Sequence, residues 1–137
     1  MTDKQEAVRR LVRVCPGFAE AWRKHLDWWG GEPAGEYNDL GELAEWVVKQ
    51  ITAGELDCFP ALFSEVEVLL DGASDELNIL LVVGFLEDLQ NIAVNTGADP
   101  DVVLSFLGRE SRKGWFELIK MRHGPDGFGW VGQKGDS

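Results

Sequence analysis

Apolar residues recur along most of the chain at intervals of three and four positions, which is the spacing of an amphipathic helix. Leu40, Leu43, Val47 and Ile51, for example, fall on one helical face. No segment alternates apolar and polar residues as a half-buried strand does, and no Asn-Gly hairpin turn occurs. The pattern therefore predicts an all-α fold.

Capping and helix-breaking residues divide this pattern into about seven helices. Pro16 and Gly17 should interrupt the first helix, and Pro60 suits the first turn of the fourth. The predicted N-caps are Thr2 with Gln5, Asn38 or Asp39, Asp57, Ser74, Asp99 and Ser111, and the predicted stops are Gly30, Gly54, Gly72, Gly97 and Gly108.

The longest predicted helix runs from Ser74 to Gly97, and its middle is apolar nearly all round, as expected of the buried centre of a domain. A polar stripe follows this helix at three- and four-residue steps, through Gly84, Glu87, Asp88, Asn91 and Asn95. The stripe must meet water or a partner. Gly84 indicates close approach of another backbone at that face, or packing inside the domain with the carboxylates merely solvated.

The length of 137 residues fits one compact domain. We expect a helical domain over residues 1–123 and a flexible tail over residues 124–137, because the last fourteen residues contain five glycines and no periodicity.

The net charge of −11 is unevenly distributed along the chain. Residues 27–101 contain seventeen acids and one base, Lys49, for a local charge of −16. Such a field repels phosphate backbones and attracts basic partners, so it disfavours nucleic-acid binding. The alternative is that the acidic excess only keeps the protein soluble.

Residues able to perform catalysis or hold a metal are sparse. His25 and His123 have no second ligand at a metal-binding spacing, and no HExxH, CxxC or phosphate-binding loop occurs. His25 shares a helix face with Trp22 and Trp29, which predicts a packed structural histidine. We therefore expect no enzyme activity, no cofactor and no metal.

The two cysteines and the N-terminal sequence bear on the compartment. Cys15 and Cys58 are isolated and flanked by apolar residues, so we predict buried thiols. No run approaches the roughly 18 uncharged apolar residues of a membrane span, and the first residues lack the apolar core of a signal peptide. A cytoplasmic protein that contacts no membrane is expected.

Six tryptophans are many for this length. Trp22, Trp29, Trp46 and Trp115 lie in or beside apolar helix faces and are predicted in the core. Trp28 lies off the apolar stripe of its helix, so it is either an exposed interface residue or buried under the linker 30–37. Trp130 and Phe128 in the tail are further candidates for exposed aromatics.

Three segments carry a family resemblance: FPALFSEVEVLL, GFLEDLQN and FLGRESRKGW. They resemble a family of small bacterial proteins with the patterns FPxLFxxVExLL, GFLEDLQN and FLGxxSxxxW. The matching residues are Phe59, Pro60, Leu62, Phe63, Val66, Glu67, Gly84, Phe85, Leu86, Glu87, Asp88, Leu89, Gln90, Asn91, Phe106, Leu107, Gly108, Ser111 and Trp115. The resemblance implies an immunity or antitoxin-type partner of a bacterial toxin.

The leading hypothesis is therefore an immunity protein that neutralises a basic toxin domain by covering its active surface. The interface residues predicted for it are Glu87, Asp88, Asn91, Asn95 and Trp28. A second hypothesis is a helical adaptor or regulatory subunit of a bacterial defence or stress complex, docking through the tail. A third is a small-molecule or metal sensor.

Overall fold

The computed structural model describes residues 2–123, and these form helices and connecting segments without a strand. The helices are α1 (Lys4–Val14), α2 (Ala19–Trp28), α3 (Glu36–Ala53), α4 (Phe59–Leu70), α5 (Asp75–Thr96), α6 (Pro100–Leu104) and α7 (Arg109–His123). A short 3₁₀ turn, Pro16–Phe18, joins α1 to α2 at the predicted interruption. The all-α prediction and the expected number of helices are confirmed for these residues. The predicted tail, 124–137, lies outside the described residues.

Helix α5 occupies the centre of the domain, as its apolar composition predicts. Its large side chains are almost completely buried, among them Leu77, Leu80, Leu81, Phe85, Leu86 and Leu89. It packs against α3 on one side and α7 on another, while α1 contacts both α3 and α4. Within residues 2–123, α5 alone is long and apolar enough to span a membrane, but half of that stretch is buried inside the domain. This burial is typical of a core helix.

A π-helical turn, Val82–Leu86, interrupts α5 between the α-helical segments Asp75–Leu81 and Glu87–Thr96. It contains Gly84, and a Cβ atom there would lie only 2.9 Å from Cδ1 of Tyr37 on α3. The glycine therefore makes room for the Tyr37 ring. Gly84 serves packing inside the domain, and it is approached by a ring and not by another backbone.

Several predicted helix ends are confirmed. The Ser74 side chain accepts a hydrogen bond from the Leu77 amide, and Asp99 accepts one from the Asp101 amide. Gly54 and Gly97 end α3 and the last segment of α5 in the left-handed conformation that glycine adopts without strain. Local capping chemistry is thus sufficient to place these boundaries.

Four other predicted caps are wrong. Asp3, and not Thr2, caps α1, accepting from the Glu6 amide at 2.7 Å. Helix α3 begins after Gly35, before Asn38 and Asp39, and α4 begins after Cys58, without a side-chain cap from Asp57. Helix α7 begins at Arg109, which places Ser111 inside its first turn. Asp39 and Ser111 are buried and bind side chains of other helices, so tertiary contacts override their local preference for a cap.

The N-terminus of α7 is capped by a residue from another helix. The Glu67 carboxylate on α4 accepts hydrogen bonds from the Glu110 amide at 2.6 Å, the Ser111 amide at 3.0 Å and the Ser111 hydroxyl at 2.8 Å. Burial alone would raise the pKa of Glu67, but these hydrogen bonds outweigh it and hold the pKa below its usual value. A Cβ atom on Gly108 would lie 2.7 Å from this carboxyl group, so the contact requires glycine there.

Cys15 and Cys58 form a disulfide with a Cα–Cα distance of 5.5 Å, and the prediction of buried thiols is wrong. The pairing of α1 with α4 brings the two cysteines together across 43 positions, which their sequence spacing alone does not reveal. The disulfide joins the 3₁₀ turn to the start of α4. Since disulfides persist mainly in oxidising compartments, this bond argues against the expected cytoplasmic location, which stays a prediction.

Replacing both Cys15 and Cys58 by alanine should lower the free energy of unfolding by roughly 2–4 kcal/mol, because the open chain gains conformational freedom when unfolded. Urea denaturation of the oxidised protein and of the double variant measures the difference. Reduction of the wild-type protein should reproduce the loss and should leave the variant unchanged. Equal stability of all these forms would contradict a stabilising disulfide.

Glu67→Gln should lower the free energy of unfolding by about 1–2 kcal/mol at neutral pH, because a neutral amide is a weaker acceptor. The folded-state pKa of Glu67 lies below its unfolded value. Its contribution is therefore fully present above the unfolded pKa and is lost as the pH falls through the folded pKa. Denaturation curves of wild type and variant should converge in acid.

The exposed Glu117 on α7 provides the matched control for this substitution. Glu117→Gln removes the same charge and should change stability by less than about 0.5 kcal/mol at any pH. A parallel pH dependence in the two variants would show that net charge, and not the Glu67 cap, is responsible.

Candidate binding cleft

An open cleft of about 890 Å³ lies between α2 and α3 and reaches α5 at Asp88. Helix α2 and its C-terminal end supply one wall, and α3 supplies the other. The lining residues are Gly17, Glu20, Ala21, Lys24, His25, Trp28, Trp29, Tyr37, Asn38, Gly41, Glu42, Glu45, Trp46, Lys49 and Asp88.

His25 connects the two walls of this cleft. Its Nε2 lies 2.9 Å from Oδ1 of the buried Asp39, and its Nδ1 lies 3.4 Å from Oε1 of Glu42. Asp39 also accepts a hydrogen bond from the Ala34 amide at 3.1 Å. The imidazole stacks on Trp22, with ring centroids 5.5 Å apart. The prediction of a packed structural histidine is confirmed, and its contacts fix α2 against α3.

Aromatic side chains are unusually exposed along the cleft. Trp28 is 82% exposed, and Trp29 and Tyr37 are each 49% exposed.

The prediction of an exposed Trp28 is confirmed, and the alternative of burial under the 30–37 linker is wrong. The prediction of Trp29 in the core is also wrong, because α2 ends at Trp28 and leaves half of the Trp29 side chain outside. Trp115 is buried, and Trp22 and Trp46 pack partly buried against the core.

The ionised groups of the cleft are predominantly acidic. Four carboxylates, from Glu20, Glu42, Glu45 and Asp88, face only two lysines. Burial raises the pKa of Asp88, and the neighbouring negative charge of Glu87 raises it further. Because the carboxylates outnumber the lysines, the cleft is negatively charged and disfavours phosphates and other anions.

The residues 8–123 match a family model described as a domain of unknown function, DUF7674. The chain belongs to the DUF7674 family. No curated protein and no solved structure matches the chain. The description of the family assigns no function, so the expected kinship with toxin-associated immunity proteins stays a prediction.

In this DUF7674 domain, residues of the three resemblance motifs contact one another. Glu67 of the first motif binds Ser111 of the third, and Gln90 of the second donates a hydrogen bond to the Trp115 carbonyl at 3.1 Å. Phe63 and Phe85 stack between the first and second motifs, with ring centroids 6.2 Å apart. The motifs therefore build the junction of α4, α5 and α7, which is a structural role.

The structure brings together two of the five residues predicted for the interface of the DUF7674 domain. Trp28 and Asp88 line the cleft. Glu87 is partly buried beside Asp88, whereas Asn91 and Asn95 are exposed further along α5 and do not line the cleft. A role in binding stays a prediction for all five residues.

Sequence reasoning missed Tyr37, Glu42 and Trp29 as cleft residues. The segment GGEPAGEYN reads as a linker, but α3 already begins at Glu36 and holds Tyr37 in its first turn. An acidic residue five positions after Tyr37 is a weak signal in a chain with 24 acids. These aromatic and acidic residues can be recognised as lining one cleft only when it is known that α2 packs beside α3.

His25→Ala should lower the free energy of unfolding by about 3 kcal/mol, because it leaves the buried Asp39 carboxylate without its imidazole partner. Urea denaturation measures the loss. In a double-mutant cycle with Asp39→Ala, the double variant should lose less than the sum of the single variants. Additive losses would show that the imidazole and the carboxylate do not stabilise each other.

Proposed function

We propose that this domain binds a protein partner through the α2–α3 cleft and acts as an immunity protein that neutralises a cognate bacterial toxin by covering its active surface. The observation that carries the proposal is the exposed Trp28 on the wall of an acidic cleft. Inhibition by coverage requires a complementary surface and no catalytic group.

The aromatic residues of the cleft support protein binding. Tryptophan and tyrosine are the residues that contribute most often to interface affinity, since they bury a large area with few rotatable bonds. Trp28, Trp29 and Tyr37 present three such side chains within one cleft. A partner that covered them would remove this apolar surface from water.

The charge of the domain supports a basic partner. The segment 27–101 carries a net charge of −16 and includes most of the cleft residues. Opposite charges accelerate association and discriminate against wrong partners. A toxin domain that acts on nucleic acid has the basic surface that such a field selects. Within residues 2–121, no group of three or more His, Cys, Asp or Glu side chains is arranged to hold a metal.

The proposal is tested by affinity capture from the native lysate with the tagged full chain, followed by mass spectrometry and co-expression of any captured protein. We expect one stoichiometric basic partner that is toxic alone and harmless with the domain. Trp28→Ala should abolish capture or weaken it by about tenfold or more, which is the loss expected for an interface tryptophan.

Val68 on α4, which is 57% exposed and does not line the cleft, provides the matched control. Val68→Ala should capture as much partner as the wild-type domain. A partner that is retained by Trp28→Ala but lost when residues 124–137 are deleted would favour a helical adaptor docking through its tail. A captured protein whose activity is unchanged by the domain would contradict neutralisation.

A further inference from the structure

The four acids of the cleft differ in how their charges are compensated. Oε1 of Glu20 lies 3.8 Å from Nζ of Lys24, and Oε1 of Glu45 lies 3.8 Å from Nζ of Lys49. Each pair is one turn apart on its own helix. Glu42 faces the His25 ring. Asp88 has no ion pair with any lysine, arginine or histidine within residues 2–121. One partly buried carboxylate is therefore available to a cation from outside.

The position of Asp88 is set by the packing of two helices. It projects from α5 towards α3 at Gly41, where a Cβ atom would lie 3.3 Å from Oδ2 of Asp88. The small residue lets the carboxylate lie close to the α3 backbone, within the cleft that the aromatic residues also line. Burial and the charge of Glu87 both disfavour the ionised form of Asp88, whereas a positive charge beside the carboxylate would favour that form.

The aromatic rings of the cleft complete a surface suited to a planar cation. Trp28, Trp29 and Tyr37 keep about half or more of their surface exposed while lining the same cleft as Asp88. An arginine guanidinium can stack on an aromatic face and donate two parallel hydrogen bonds to one carboxylate. A lysine ammonium is a strongly hydrated point charge and gains less from this combination.

We propose that the cleft is a receptor for an arginine side chain, which pairs with the Asp88 carboxylate and stacks on one of the exposed aromatic rings that line the same cleft, Trp28, Trp29 or Tyr37. This inference rests on the proposed function, because a protein partner delivers the arginine. The inference names the side chain of the partner that the cleft recognises, whereas the proposed function states only that the partner is basic. Lys24 and Lys49 do not occupy this position, since they are paired with Glu20 and Glu45 and remain largely exposed.

The test uses the full chain and a blocked tripeptide, glycine-arginine-glycine, titrated while the tryptophan indole N–H resonances are followed by NMR. We expect saturable shifts of the Trp28 and Trp29 resonances in the millimolar range, as befits a single side chain. The same peptide with citrulline, which keeps the shape and lacks the charge, should not bind. Lysine binding as tightly as arginine, or the absence of saturable shifts at millimolar arginine peptide, would overturn the proposal.

Asp88→Asn should weaken binding of the arginine peptide by about fivefold or more, since it removes a charge-assisted hydrogen-bond acceptor. Asp71→Asn, at an exposed acid after α4, makes the same change in net charge and should leave the affinity unchanged. Equal weakening by both variants would show general electrostatic attraction and overturn the proposal.

The two proposals fail in different ways. If a captured toxin binds Asp88→Asn as well as wild type and the arginine peptide does not bind, toxin neutralisation stands and the arginine receptor falls. If the peptide binds through Asp88 but no toxin is captured, the receptor stands and the immunity function falls.

Discussion

The rest of the structure depends on the burial of α5, a helix that is apolar on nearly every side and must be enclosed by other helices. Helix α3 packs against its middle and its C-terminal segment, helix α7 packs against its middle, and small residues make room for both contacts. A Cβ atom on Gly84 would meet Tyr37, and one on Gly114 would lie 2.8 Å from a methyl group of Val82. The π-helical turn of α5 contains both Val82 and Gly84, so the central helix is irregular where these two glycine contacts with α3 and α7 occur.

The cleft is a consequence of this packing. Tyr37 lies over Gly84, and Asp88 follows Gly84 by about one turn of the same helix. The contact that lets α3 approach α5 therefore also places an aromatic ring and a carboxylate in one cavity. Helix α2 closes the other wall through His25 and Asp39, so the cleft opens between helices held by buried contacts. Rigid elements of this kind favour a preformed binding surface.

Much of the fold follows from local sequence signals, whereas the site does not. Helical periodicity, the cap at Ser74 and the glycine at position 97 determine the elements, because each acts within a few residues. Asp39 and Ser111 are misassigned as caps, since each binds a side chain on another helix. Neither the disulfide nor the cleft could be predicted from the sequence, because both depend on which helices pack against each other. The sequence shows that Trp28 lies off the apolar stripe of its helix, but it leaves open whether the 30–37 linker covers the side chain, and only the fold decides for exposure.

The motif residues and the cleft residues of this chain are nearly separate sets. Glu67, Gln90 and Ser111 act inside the helix junctions, while Trp28, Tyr37 and Glu42 lie outside the motifs and line the cleft. Asp88 belongs to both sets, since it is a residue of the GFLEDLQN motif and its side chain lines the cleft. A resemblance carried by junction residues therefore argues for the fold far more strongly than for the partner. The chemistry of the partner must be inferred from the aromatic and acidic side chains of the cleft, which the Asp88 carboxylate and three exposed aromatic rings line together.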